Sequence, residues 1–157
     1  MFKKVLIIVL VTIVLLIAIS YLFFQRQTPD IYPEYQIAKL EQKTININDR
    51  QLTVEIADEP HEQSRGLSGR DSLDENQGML FVFKSLLTPS FWMKEMNFPI
   101  DIIWLDADKK IIGIEKNVSP DTFPQTFSPP SPVLYVLEVN SGWSDRNNVK
   151  VGGVISF

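Results

Sequence analysis

The 157-residue chain has no cysteine and a single histidine. Without thiols, disulfide scaffolds, thiolate nucleophiles, CxxC redox pairs, thiolate zinc sites and iron–sulfur ligation are all excluded. Positive charge is scarce too. All nineteen acidic residues lie from Asp30 onward, while Lys3, Lys4 and Arg26 flank an apolar block. The remainder carries twelve basic against nineteen acidic residues, a net of −7. A phosphate-binding face needs the opposite balance, so no nucleic-acid partner is expected. Phosphate loops, dinucleotide fingerprints and the EF-hand pattern are missing as well. Asp106-Ala107-Asp108 reads as a hairpin turn with solvated acids rather than a calcium loop, and Gly152-Gly153 as a turn. No metal or cofactor is expected.

Polar groups nearly vanish from Val5 to Phe24, where only Thr12, Ser20 and Tyr21 carry one. Twenty helical residues rise about 30 Å, the thickness of a bilayer core. A cleaved signal peptide would have a shorter apolar run ending at a small-x-small site. Leu22-Phe23-Phe24-Gln25-Arg26 offers none, and lipoprotein cleavage would need a cysteine. Lys3, Lys4 and the amino terminus before the block, against Arg26 after it, place the N-terminus in the cytoplasm. The expected organisation is therefore a cytoplasmic terminus (1–4), a transmembrane helix (5–24), a polar stalk with Pro29 and Pro33 (25–43) and an exposed domain (44–157). A single-pass protein of the cell membrane with its domain outside is expected.

Within the domain, Thr44-Ile-Asn-Ile-Asn and Leu52-Thr-Val-Glu-Ile-Ala alternate with period two around the turn-rich Asn48–Gln51. They predict a hairpin with Leu52, Val54 and Ile56 on the core face. Asp58-Glu59-Pro60 starts a helix that Gly66 and Gly69 stop within about two turns. Further strands are expected at Met79–Phe83, Phe91–Met96, Ile100–Leu105, Ile111–Val118, Val133–Val139 and Val154–Phe157. The fold class is mainly β (α+β): an antiparallel sandwich or small barrel of seven or eight short strands with short helices. Ser119 to Pro132 holds five of the ten prolines and cannot join a central ladder. It reads as a loose surface loop, with a ligand lid as the alternative.

Arg65-Gly66-Leu67, Arg70, Gly78-Met79-Leu80-Phe81-Val82-Phe83, Phe91-Trp92-Met93-Lys94, Pro99-Ile100-Asp101-Ile102-Ile103 and Val136-Leu137-Glu138-Val139-Asn140-Ser141-Gly142 fall in order. This series resembles the bacterial and archaeal domain of unknown function 192 family over roughly Thr44 to Phe157. The resemblance implies a mostly β domain with short helices and no established activity. Lys94-Glu95-Met96 departs from the family's usual Lys-Asn-Thr, and Gly153 stands where an acid is usual.

Two acids interrupt apolar strands. Asp101 shares a face with Ile103 and Leu105, and Glu138 shares one with Leu134 and Val136. A buried carboxylate is costly unless paired or hydrogen-bonded, and Arg70 and Lys94 are the candidate partners. One reading is a structural network tying loops to the sheet. Another is a polar pocket of Arg70, Lys94, Asp101 and Glu138 beside the aromatic Trp92. A third makes Asp101 and Glu138 a glycosidase-type pair, with no other hydrolytic feature in support. His61, beside Pro60 on a charged helix, reads as a solvated surface residue, and Trp143 as a cap over the core or an exposed stacking platform. With no motif of a known mechanism, the expected function is a non-catalytic binding or accessory module. Its partner would be a small polar or carbohydrate ligand, or a protein, of the cell envelope. A purely structural or protein-interaction domain and a hydrolase are the alternatives.

Overall fold

In the computed structural model, residues 12–21 and 40–157 are described. The chain divides into two compact units, 1–38 and 39–157. In the first, residues 12–21 form a solvent-exposed helix, α1. The rest of the expected transmembrane helix (5–24) and most of the stalk (25–43) lie outside the described residues. Among those described, no helix is long and apolar enough to cross a membrane.

The second unit is mainly β. Its elements are β1 (Gln42–Ile47), β2 (Arg50–Ala57), α2 (Pro60–Arg65), β3 (Gln77–Leu87), β4 (Phe91–Trp92), β5 (Ile100–Leu105), β6 (Ile111–Val118), β7 (Thr126–Phe127), β8 (Val133–Asn140), α3 (Trp143–Arg146) and β9 (Ile155–Ser156). Seven strands form one sheet in the order β6-β5-β8-β3-β2-β1-β9, and β4 and β7 pair separately. The sheet curls into a half-barrel. At one end its outer strands approach: Ile155 N–H donates to Lys109 O, Ile111 N–H to Gly153 O and Gly152 N–H to Ile111 O.

The strand alternation is obeyed on both sides. Leu52, Val54, Leu80, Ile103, Leu105, Leu137 and Val139 fill the first face together with Ile45, Ile47 and Trp143. Met79, Phe81, Ile100, Ile102, Trp104 and Val136 fill the second, with Leu67 and Met93. Trp143 is buried in the first core, so it caps the sheet rather than offering a stacking platform.

Three expectations need correction. The sheet is not wholly antiparallel, because β2 and β3 pair in parallel from Thr53↔Gln77 to Ala57↔Phe81. Parallel neighbours need a crossover connection, and residues 58–76 with α2 supply it. Second, the strand expected over Phe91–Met96 ends at Trp92. The carbonyls of Lys94 and Glu95 accept instead from Ser68 Oγ (2.8 Å) and Gly69 N–H (2.8 Å), and Glu95 turns the backbone at φ +57°. Third, the proline-rich segment lies mostly at the surface, as expected, but it is not structureless. Its β7 pairs with β4, Pro129 is buried, and Pro130 lies over Gly113 against Trp104.

Candidate functional site

A one-residue difference in register separates the two interior acids. Asp101 lies opposite Val139, and Ile102 opposite Glu138. Successive residues of a strand face opposite ways, so Asp101 points into the first core and Glu138 into the second. They do not face each other, and the two-carboxylate hydrolase loses its geometry.

Asp101 is fully buried and fully engaged. Its Oδ1 accepts from Asn117 N–H (2.9 Å) and Gly142 N–H (3.1 Å), and Oδ2 from Ser144 N–H (3.0 Å). Gly142 has φ +73°, the left-handed conformation that lets the chain leave β8 and start α3 at this carboxylate. Asn140 Nδ2 donates to Leu73 O and Asp74 O, and Ser141 Oγ to Asn117 Oδ1. The Pro99–Ile103 and Asn140-Ser141-Gly142 blocks thus form one hydrogen-bonded joint between β5, β6 and α3. Neither Arg70 nor Lys94 takes part.

Glu138 stands in a different environment. Glu55, Met79, Glu138 and Ile102 form one row across β2, β3, β8 and β5. Arg70 makes an ion pair with Glu55, the acid at one end of that row. Glu138 is 6% exposed, and its Oε2 has no hydrogen-bond partner. Burial pushes its carboxyl up to about 8, against a smaller opposing pull from the Arg70 guanidinium.

Beside this carboxyl opens a cavity of about 230 Å³, bordered by Gln63, Gly66, Phe81, Phe83, Phe91, Trp92, Met96 and Glu138 among others. Its floor is the sheet, and one wall is the crossover containing α2. Glu62 starts that helix by accepting from the N–H groups of Asp58 (3.2 Å) and Glu59 (3.1 Å), and Gly66 ends it. Gly66 sits at φ +52°, ψ −132°, and a Cβ there would lie 3.3 Å from Phe81 Cζ and 3.9 Å from Glu138 Oε2. Glycine is favoured here by the positive φ and by the tight approach to the Phe81 ring, not by the acid, which a Cβ would meet at ordinary contact distance. The opposite wall is the β4–β7 ribbon, where Phe91 packs edge-on against Phe81 (4.9 Å) and Trp104 (5.4 Å).

Of the five residues singled out from the sequence, Trp92 and Glu138 line the cavity. Arg70 acts on Glu138 from outside the lining, and Asp101 lies across the sheet. Lys94 is exposed and pairs with Glu95, at 3.8 Å. The sequence reading missed Glu55, Gly66 and Gln63. Gly66 carried a signal, in the Arg65-Gly66-Leu67 block; Glu55 did not, since its strand shows one apolar face and reads as half-solvated.

These features define a class: a curled β domain with a small, ring-lined cavity that has one buried acid at its edge. The domain of unknown function 192 family model (DUF192, uncharacterized ACR) matches residues 42–157, and the chain belongs to that family. A crystal structure from Novosphingobium aromaticivorans DSM 12444, of unknown function, is 26% identical. That match covers 83% of this chain and 93% of the other, at a TM-score of 0.71. A proposed transcription regulator from Sinorhizobium meliloti 1021 is 28% identical over 76% of this chain and 95% of its own, at 0.72. No curated protein matches.

Proposed function

We propose that the domain is a non-catalytic binding module that takes a small ligand into the cavity over Glu138. The observation that carries this reading is the unpartnered, buried Oε2 of Glu138 beside a cavity lined by aromatic rings and by polar side chains of α2 and the loops around it. A buried polar atom without a partner is costly, and a ligand group that met it would recover that cost. The inventory of reactive groups supports binding over turnover. One acid lines the cavity, and the second buried carboxylate is committed to three backbone N–H groups.

The apolar run 5–24 supports a membrane anchor with the N-terminus in the cytoplasm, holding the module at the outer side of the cell membrane. A regulator that grips nucleic acid fits this chain poorly, given the net −7 beyond the anchor.

The test is a thermal-shift screen of the full chain in detergent against amines, sugars, organic acids and nucleotides, repeated with Ser64→Trp. Ser64 is an exposed residue of α2 at the cavity edge, and the indole would fill the space. A ligand at about 100 times its dissociation constant stabilises by roughly 2.7 kcal/mol. Hits abolished by Ser64→Trp are expected. Silence across the panel, or hits indifferent to the indole, would transfer weight to a protein-interaction domain.

A further inference from the structure

We infer that the cavity selects a small organic cation: one ammonium head for Glu138, on a compact apolar or aromatic body. The inference deepens the binding reading above and rests on it.

Charge balance is the first support. Glu55 and Glu138 flank Met79 on the same face, and a single guanidinium, Arg70, serves the pair. Arg70 bonds Glu55, so the cluster is balanced while Glu138 keeps its proton and is one positive charge short once Glu138 ionises. Supplying that charge at Oε2 completes it.

The state of the polar lining is the second support. Gln63 Nε2 already donates to Ala57 O (3.2 Å) and Val82 O (2.9 Å). Ser68 Oγ donates to Lys94 O, and Ser90 Oγ is bonded to Ser128 Oγ (3.2 Å). Ser64 and Arg65 stand exposed at the rim, and Glu138 Oε2 is the one lining atom both buried and unpartnered, so one buried group is left to direct a ligand. That pattern suits a single head group. Phe81, Phe83, Phe91 and Trp92 supply π-systems that attract a cation and bury an apolar body. A cavity of about 230 Å³ falls below the roughly 300–1,000 Å³ of drug-sized sites, which keeps the ligand small.

The charged groups around Glu138 are Arg70 from the loop after α2, Glu55 from β2, and the exposed Arg65 of α2 at the cavity edge. Arg65 faces water, where its repulsion of a cation is screened. Glu138 holds its proton to about pH 8, so an ammonium must displace that proton to pair with the carboxylate. Binding of a cation therefore strengthens with rising pH, by close to tenfold per unit below 8.

Calorimetric titration of the full chain with benzylammonium and with benzyl alcohol, between pH 6 and pH 8, tests this. Benzylammonium is expected to bind more tightly than the alcohol at pH 8 and to weaken toward pH 6. Glu138→Gln, which keeps the shape and removes the charge, should lose at least tenfold in benzylammonium affinity and lose the pH slope, with the alcohol little changed. If the alcohol binds as well as the ammonium and both are blocked by Ser64→Trp, the cation selectivity is overturned while the binding site stands. If neither binds, the cation reading falls, and the binding module is then decided by the wider thermal-shift panel.

Discussion

Two buried carboxylates sit a single register step apart on adjacent strands, and the sheet treats them oppositely. On one face, three backbone N–H groups converge on Asp101, and the joint between β5, β6 and α3 is built around it. On the other, Glu138 has an orphan oxygen and a carboxyl pushed up to about 8 by burial. Burial alone does not assign a role to an acid. The direction in which its neighbours' donors point does. Asp101 is spent on architecture, and Glu138 is left over for something that comes from outside.

The comparison breaks most visibly at Asp101. Asp101→Ala leaves a hole in the core and strands three backbone N–H groups, that of Ser144 fully buried, and is expected to cost on the order of 3–5 kcal/mol, read by urea unfolding. Asp101→Asn, which keeps one acceptor oxygen, should fall between alanine and wild type. A loss under 1 kcal/mol for alanine would mean that the joint holds without its carboxylate.

Glu138 should behave in the reverse sense. Its folded carboxyl keeps the proton to about pH 8, while the unfolded chain releases it near 4.5. Its contribution to stability is therefore complete below 4.5 and is lost as pH rises to about 8, with a limiting slope near 1.4 kcal/mol per unit. Other acids titrate too, so the quantity to measure is the stability of wild type minus that of Glu138→Gln. This difference should decline between pH 4.5 and 8 and flatten above. A level difference would show that the folded carboxyl ionises as it does in water.

The smallest effects separate the two cations. Arg70→Ala leaves the half-buried Glu55 without its ion pair and removes the only pull that lowers the Glu138 carboxyl. It should cost about 1 kcal/mol and move the Glu138 transition to higher pH. Lys94→Ala should change stability by no more than about 0.5 kcal/mol and leave that transition in place, since its 3.8 Å pair with Glu95 is exposed. Equal effects of the two on the transition would refute the assignment of Arg70.

Most strands were legible in the sequence because period-two patterning is local. Leu52, Val54 and Ile56 all pack against the first core, as their alternation demands. The parallel pairing of β2 with β3 was not legible, because nothing local distinguishes a short helix that crosses over from one that merely decorates a turn. The second core was missed for a related reason. Glu55 alternates with apolar residues and reads as solvent-facing, until the crossover and the β4–β7 ribbon cover that side. Glu138 announced itself as an acid inside an apolar run. Whether it met Asp101 depended on a register step between β5 and β8, whose pairing joins residues nearly forty positions apart. Such a step leaves no trace in either strand.

The strand order also has a consequence in time. β1 gains its first neighbour, β2, almost at once, but the end of its other edge, Asn46 and Ile47, is paired by β9 only more than a hundred residues later. At ribosomal speeds of roughly 5–20 residues per second, that edge waits on the order of 5–20 s for its partner. An open edge recruits foreign strands, so the nascent domain is most exposed to its own copies while half-made. Crowded polysomes therefore favour pairing between unfinished copies at this edge.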